Sequence, residues 1–205
     1  MNFEDYLSEH PYVDYSAENI RQCRARLFEG ARDEMEKARR AYYFVRDEIP
    51  HSFDCQARVI TARASEVLEL GTGICHAKAN LLAALLRGQG LPAGFCFQRL
   101  TLAEDDSLGH VLHAFNAVYL EGGWRKLDAR GNKKGIQADF TLDSPSLAYP
   151  RCRPEYGEYF WEGIYAAPDQ AAMKVLDQSR NLQDVLDRLP DRLDSPEERV
   201  RIIEP

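Results

Sequence analysis

The stretch "LELGTGICHAKANLLAALLRGQGLP" over residues 68–92 constrains the fold more than any other part of the chain. From Cys75 to Gln89, Ala79, Leu82, Ala83 and Leu86 recur at helical spacing, and Leu81 and Leu85 widen the stripe. Gly90 and Pro92 then end the helix in the usual order. A helix this apolar belongs in the core, which fixes where its entrance lies. That entrance holds Gly71, Gly73, Cys75 and His76. Glycines allow a tight turn and the close approach of another backbone. A cysteine at a helix N-terminus meets unpaired N–H groups and the positive end of the helix dipole, and both favour the thiolate. The competing reading is a small buried apolar residue, the common fate of a free cysteine.

Around this helix the chain reads as an irregular lead-in over 1–16, then a helix over 16–30 capped by Ser16 and stopped by Gly30. A second helix covers 32–49 and ends at Pro50; a loop over 50–64 leads to a short helix capped by Ser65. After Pro92 the period changes. "AGFCFQRL" (93–100) is strand-like, and "HAFNAVYL" (113–120) and "WRKLDAR" (124–130), joined by "EGG", form a hairpin. The Pro-, Gly- and Tyr-rich segment 131–168 reads as surface cover, followed by a helical region over 169–189. The order of helices, a cysteine-led helix and antiparallel strands predicts one α+β domain over 1–205.

A thiolate mechanism needs a base, and the base needs a group to orient it. In the predicted hairpin His113 starts one strand and Asp128 ends the next, so the two fall at roughly opposing positions. His113 is thus placed to pair with Cys75 through one ring nitrogen and with Asp128 through the other. His110 is the rival base, three residues upstream in the predicted connection.

The net charge of −7 and the absence of any Lys/Arg cluster larger than the pair in "NKKG" argue against a nucleic-acid binder. Five scattered cysteines form neither a disulfide framework nor a C-x-x-C metal site. No apolar run approaches the ~18 residues that span a bilayer, and the acidic start "MNFEDYLSEH" does not read as a signal peptide. The expectation is a cytoplasmic protein.

The run "VRDEIPHSF…ASEVLELGTGICHAKANLLAALLRGQGLPAGFCF…HAFNAVYLEGGWRKLDAR", about residues 40–130, resembles the transglutaminase-like core, a relative of the papain-like cysteine hydrolases. The resemblance implies an α+β fold with the cysteine-bearing helix packed on an antiparallel sheet, here with extra helices at both ends. It implies a Cys75–His113–Asp128 triad and no metal or cofactor. The expected activity is attack on a peptide, protein or small amide carbonyl through a thioester, ending in hydrolysis or in transfer to an amine; acetyl transfer is a further option. A silent protein-binding module is the alternative. His51, Gly73 and His76 stand as candidates for substrate or oxyanion contact. Packing is the rival reading for His76, and a surface position after Pro50 the rival for His51. Arg125, Lys126 and Arg130 read as a solvated edge.

Overall fold

The computed structural model describes residues 3–194 and the short strand at 199–200. Its centre is α5 (Cys75–Arg87), where every residue from His76 to Arg87 is buried. The sequence pattern suggests one apolar stripe, but the helix is enclosed on all sides. Strands β1 (Ala93–Thr101) and β2 (His110–Leu120) pack on one side; α2 (Glu18–Leu27), α3 (Glu34–Tyr43) and α4 (Ala64–Leu70) cover the others.

The polar residues of α5 tolerate burial because each meets a backbone carbonyl. His76 Nε2 pairs with Leu112 O at 2.9 Å, and Lys78 donates to Ile49 O. Asn80 donates to Ala62 O at 2.7 Å and Arg87 Nε to Ala93 O at 2.9 Å. These contacts tie successive loops to the central helix.

The sheet runs β3 (Gly123–Leu127), β2, β1, β5 (Ile164–Tyr165) and β6 (Arg199–Val200), with β4 (Tyr159–Phe160) also paired to β1. Register along β1–β2 extends from Ala93 opposite Val118 to Thr101 opposite His110. One face, with Phe95, Phe97, Leu112, Ala114 and Val118, meets the helices. The other, with Cys96, Phe115 and Ala117, gathers Tyr6 of α1 (Glu4–Leu7), Leu147 and Ile164.

Gly94 lets β5 lie close to β1: an added Cβ would sit 2.3 Å from Ile164 Cγ2 and 2.9 Å from Tyr165 O. Gly94→Ala is therefore expected to lower stability by about 1–3 kcal/mol, the usual cost of overpacking, as read by urea denaturation.

Several local expectations are corrected. Segment 131–168 is more than surface cover, because it adds β4 and β5 to the sheet. The C-terminal helical region is two helices, α6 (Gln170–Gln178) and α7 (Leu182–Arg188), started by the Asp169 and Asn181 side chains. Ser16 and Ser65 are not caps. Ser16 N–H bonds Glu9, and Ser65 lies inside α4 bonded to Asp14, while Glu66 closes the start of that helix through Ala62 and Arg63 N–H. The hairpin turn is Glu121–Gly122, both at positive φ, with Gly123 already paired to Leu120.

Candidate functional site

Gly71 closes α4 in the left-handed conformation, at φ 67°, and turns the chain toward α5. Gly73 then runs beside His51: Ser52 N–H donates to Gly73 O at 3.1 Å and Gly73 N–H to Pro50 O at 3.4 Å. Its own N–H is thus engaged, and its part is to align His51 with the start of α5. An added Cβ would lie 3.2 Å from the Ala77 Cβ.

Cys75 is the first residue of α5, half-buried, and its N–H donates to His51 Nε2 at 3.2 Å. This bond places the His51 proton on Nδ1, a buried atom with no partner among the described residues. Burial, helped by the nearby Arg130 charge, holds the His51 pKa well below its ordinary value, so the ring is neutral.

The sulfur reaches β2 because β3 is short. The β2–β3 pairing stops at Asn116 opposite Leu127, so the outer edge of β2 is free beyond it. There Leu112 N–H donates to Pro190 O at 2.8 Å, and Ala114 N–H turns to the Cys75 sulfur. His113 lies between. It is inside β2 rather than at its start, and its Nε2 bonds Asp128 Oδ2 at 2.9 Å, which leaves Nδ1 for Cys75. Asp128 follows β3 and is displaced along the hairpin from His113 rather than directly opposite it; the side chains close the gap. Its carboxylate also accepts Ala148 N–H at 3.0 Å and Arg130 N–H at 3.2 Å, while Tyr42 of α3 donates to its backbone carbonyl at 3.2 Å.

Electrostatics follow from these contacts. Burial opposes charge on His113, but Asp128 and Cys75 outweigh it and raise its pKa to about 10. Burial pushes the Cys75 thiol up, yet the His113 charge and hydrogen bond and the Ala114 N–H bring it below its ordinary value. Asp128 behaves likewise: burial raises its pKa, and His113 with the two N–H donors lowers it further. In contrast, burial pushes Cys96 up to about 12 and raises Cys23 and Cys152.

The charge pair has a signature in stability. Below 9.0, the ordinary Cys value, and above both 6.5, the ordinary His value, and the lowered Cys75 value, the folded pair holds one proton on nitrogen and the unfolded pair holds one on sulfur. The proton counts match, so this pair contributes a plateau. Above 9.0 only the unfolded cysteine loses its proton, and stability falls as pH rises through the folded His113 value of about 10. Denaturation midpoints of wild type minus Cys75→Ser across pH measure this profile.

The remaining candidates divide. His76 is buried against Phe97 and Leu112 O and does not line the cleft; burial lowers its pKa to about 4. His110 belongs to β2, not the preceding connection, and its Nε2 is bonded to Tyr156 O at 2.6 Å, away from the sulfur. Arg130 is not on a solvated edge. It is buried and pairs with Asp54, which also binds Lys133 at 2.6 Å. Burial would raise the Asp54 pKa, but these two cations lower it to about 2. Sequence reasoning assigned no part to Asp54, Lys133 or Ala148. Within the segment read as surface cover, Tyr149 sets its ring edge-on to His113, with centroids 5.1 Å apart.

Cys75, His51, His113, Arg130 and Tyr149 share a cleft of about 400 Å³. A larger hollow of about 570 Å³ lies at the other end of α5, beside Arg87 and several carboxylates, and contains no cysteine. Among the described residues, no group of three or more His, Cys, Asp or Glu side chains is arranged to hold a metal ion. No helix there is long and apolar enough to cross a membrane.

No curated protein matches the chain. Among solved structures, one that matches carries the description "Putative Cysteine Protease from Cytophaga hutchinsonii", at 17% identity and a TM-score of 0.45. The match covers 61% of this chain and 40% of that one, so the chain spans well under half of that protein. Residues 21–129, just over half of the chain, match the family described as the Transglutaminase-like superfamily. They run from α2 to the residue after Asp128 and take in Cys75 and His113. The chain belongs to the transglutaminase-like superfamily.

Proposed function

We propose that the protein is a cysteine hydrolase that opens an amide or peptide bond through a thioester on Cys75. The observation that supports this reading is the position of His113, bonded to Asp128 on one side and to the Cys75 sulfur on the other. In the first step the thiolate forms a C–S bond and the carbonyl π electrons move onto oxygen. Collapse of the oxyanion breaks the C–N bond, and the His113 imidazolium gives its proton to the departing amine. Neutral His113 then takes a proton from water as that oxygen attacks the thioester. The second collapse releases a carboxylic acid and restores thiolate and imidazolium. Asp128 holds the ring in the tautomer that both steps need.

The Cys75 N–H is the first candidate donor to the oxyanion, and His51 is its acceptor in the free protein. An oxyanion replaces Nε2 as that acceptor. The His51 ring, with its proton moved to Nε2, is then a second donor. Transfer of the acyl group to an amine shares every step up to the thioester, and hydrolysis needs no second substrate site.

Acid-quenched incubation with a peptide pool, followed by mass analysis of the Cys75 peptide, tests the reading. An acyl mass on Cys75 that is absent from Cys75→Ser is expected. Substrate turnover by Cys75→Ser at the wild-type rate would contradict it.

A further inference from the structure

The cleft around Cys75 has a lining of two unlike kinds. One part of the lining, here called the leucine wall, is aliphatic: Ile74, Leu100, Leu102, Val111, Leu186 and Leu189. Leu102, just after β1, and Leu186, in α7, are 39% and 37% exposed. Exposed leucines converging on one cavity mark a surface that binds an apolar group. The wall is anchored. Leu102 N–H donates to Gly109 O at 3.0 Å, and Leu112 N–H to Pro190 O at 2.8 Å seats the end of α7 against β2. The same lining includes two cations, Arg130 and Lys133, paired with a single carboxylate, Asp54.

We propose that the leucine wall receives the side chain of the acyl group, so that the substrate carries an aliphatic or aromatic residue at the carbonyl attacked by Cys75. This rests on Cys75 being the nucleophile. The argument for the acyl half is retention: after the amine leaves, the acyl group stays bonded to Cys75 sulfur, which lines the same cavity as these leucines. A cationic acyl side chain meets leucines on one side and surplus positive charge on the other, which excludes it. The wall draws on α7, which lies outside the part of the chain that matches the superfamily, so this preference belongs to this chain's own additions.

N-acetylglycyl, N-acetylleucyl and N-acetyllysyl chloromethyl ketones test the proposal on the full-length protein. They share one reaction: the thiolate displaces chloride, a C–S bond forms and the C–Cl bond breaks. Only the side chain differs. The leucyl reagent is expected to label Cys75 at least about tenfold faster than the glycyl one, the discrimination an apolar pocket gives for a methylene or two. The lysyl reagent gains nothing over glycyl. Leu102→Asp and Leu186→Asp, at partly exposed positions, shrink the leucyl-to-glycyl ratio toward one; the ratio within each variant cancels any change in thiol reactivity. Iodoacetamide, which has no side chain, runs in parallel. Fast iodoacetamide labelling with three equal chloromethyl ketone rates overturns the pocket and leaves the nucleophile standing. Slow labelling of Cys75 by all four reagents overturns the nucleophile reading and the proposal with it.

Discussion

His113→Ala slows iodoacetamide alkylation of Cys75 at pH 6.5 by roughly one to two orders of magnitude. Without the imidazolium, the thiol loses the charge and the hydrogen bond that offset its burial. An ordinary thiol with its pKa at 9.0 is only about 0.3% ionised at pH 6.5, so the thiolate fraction falls by up to about 300-fold. Higher intrinsic nucleophilicity of the more basic sulfur recovers part of that loss. Exposed Cys55 is the internal control and keeps its rate. Because the His113 ring is buried beside Phe115 and Tyr149, circular dichroism and a urea midpoint must accompany the rate. A folded His113→Ala protein with an unchanged Cys75 rate would remove His113 from the mechanism.

Asp128→Ala carries the largest expected cost in stability, about 3–5 kcal/mol, as for one partner removed from a buried charge pair. The carboxylate accepts from His113, Ala148 and Arg130, and the substitution leaves three buried donors without their acceptor. Asp128→Asn separates packing from electrostatics. Its shape is kept, but an amide NH₂ facing His113 favours the wrong tautomer, and alkylation by the glycyl chloromethyl ketone slows by up to roughly one to two orders of magnitude, the limit set by loss of the thiolate. Urea denaturation at pH 7 reads the first effect and labelling kinetics the second. Asp128→Ala at wild-type stability would mean that the carboxylate does not organise the loop.

What the sequence makes legible, and what it hides, follows from distance along the chain. The central helix shows itself through spacing and terminal glycines, which are local signals. The His113–Asp128 pair is legible because a hairpin brings it together over 15 residues. Arg130 with Asp54, separated by 76 residues, has no such short route and depends on loop 50–64 folding back against the end of the hairpin. Ala148 is harder still, since it contributes a backbone N–H that no residue type announces. Strands β4 and β5, two residues each, are too short to show a period, so the sequence reads as cover where the chain completes a sheet. The serines at 16 and 65 mislead for a similar reason. Capping residues are frequent in loops, and Glu9, seven residues before Ser16, and Asp14, 51 residues before Ser65, take their N–H groups instead.

The central claim is that Cys75 is held as a thiolate by His113, and ultraviolet difference titration measures it without a substrate. Thiolates absorb near 240 nm and thiols do not, so wild type minus Cys75→Ser isolates one sulfur. The account predicts a difference signal already present below 9.0 and lost as pH falls through the lowered Cys75 value. A signal that appears only near 9.0, the ordinary cysteine value, would contradict it.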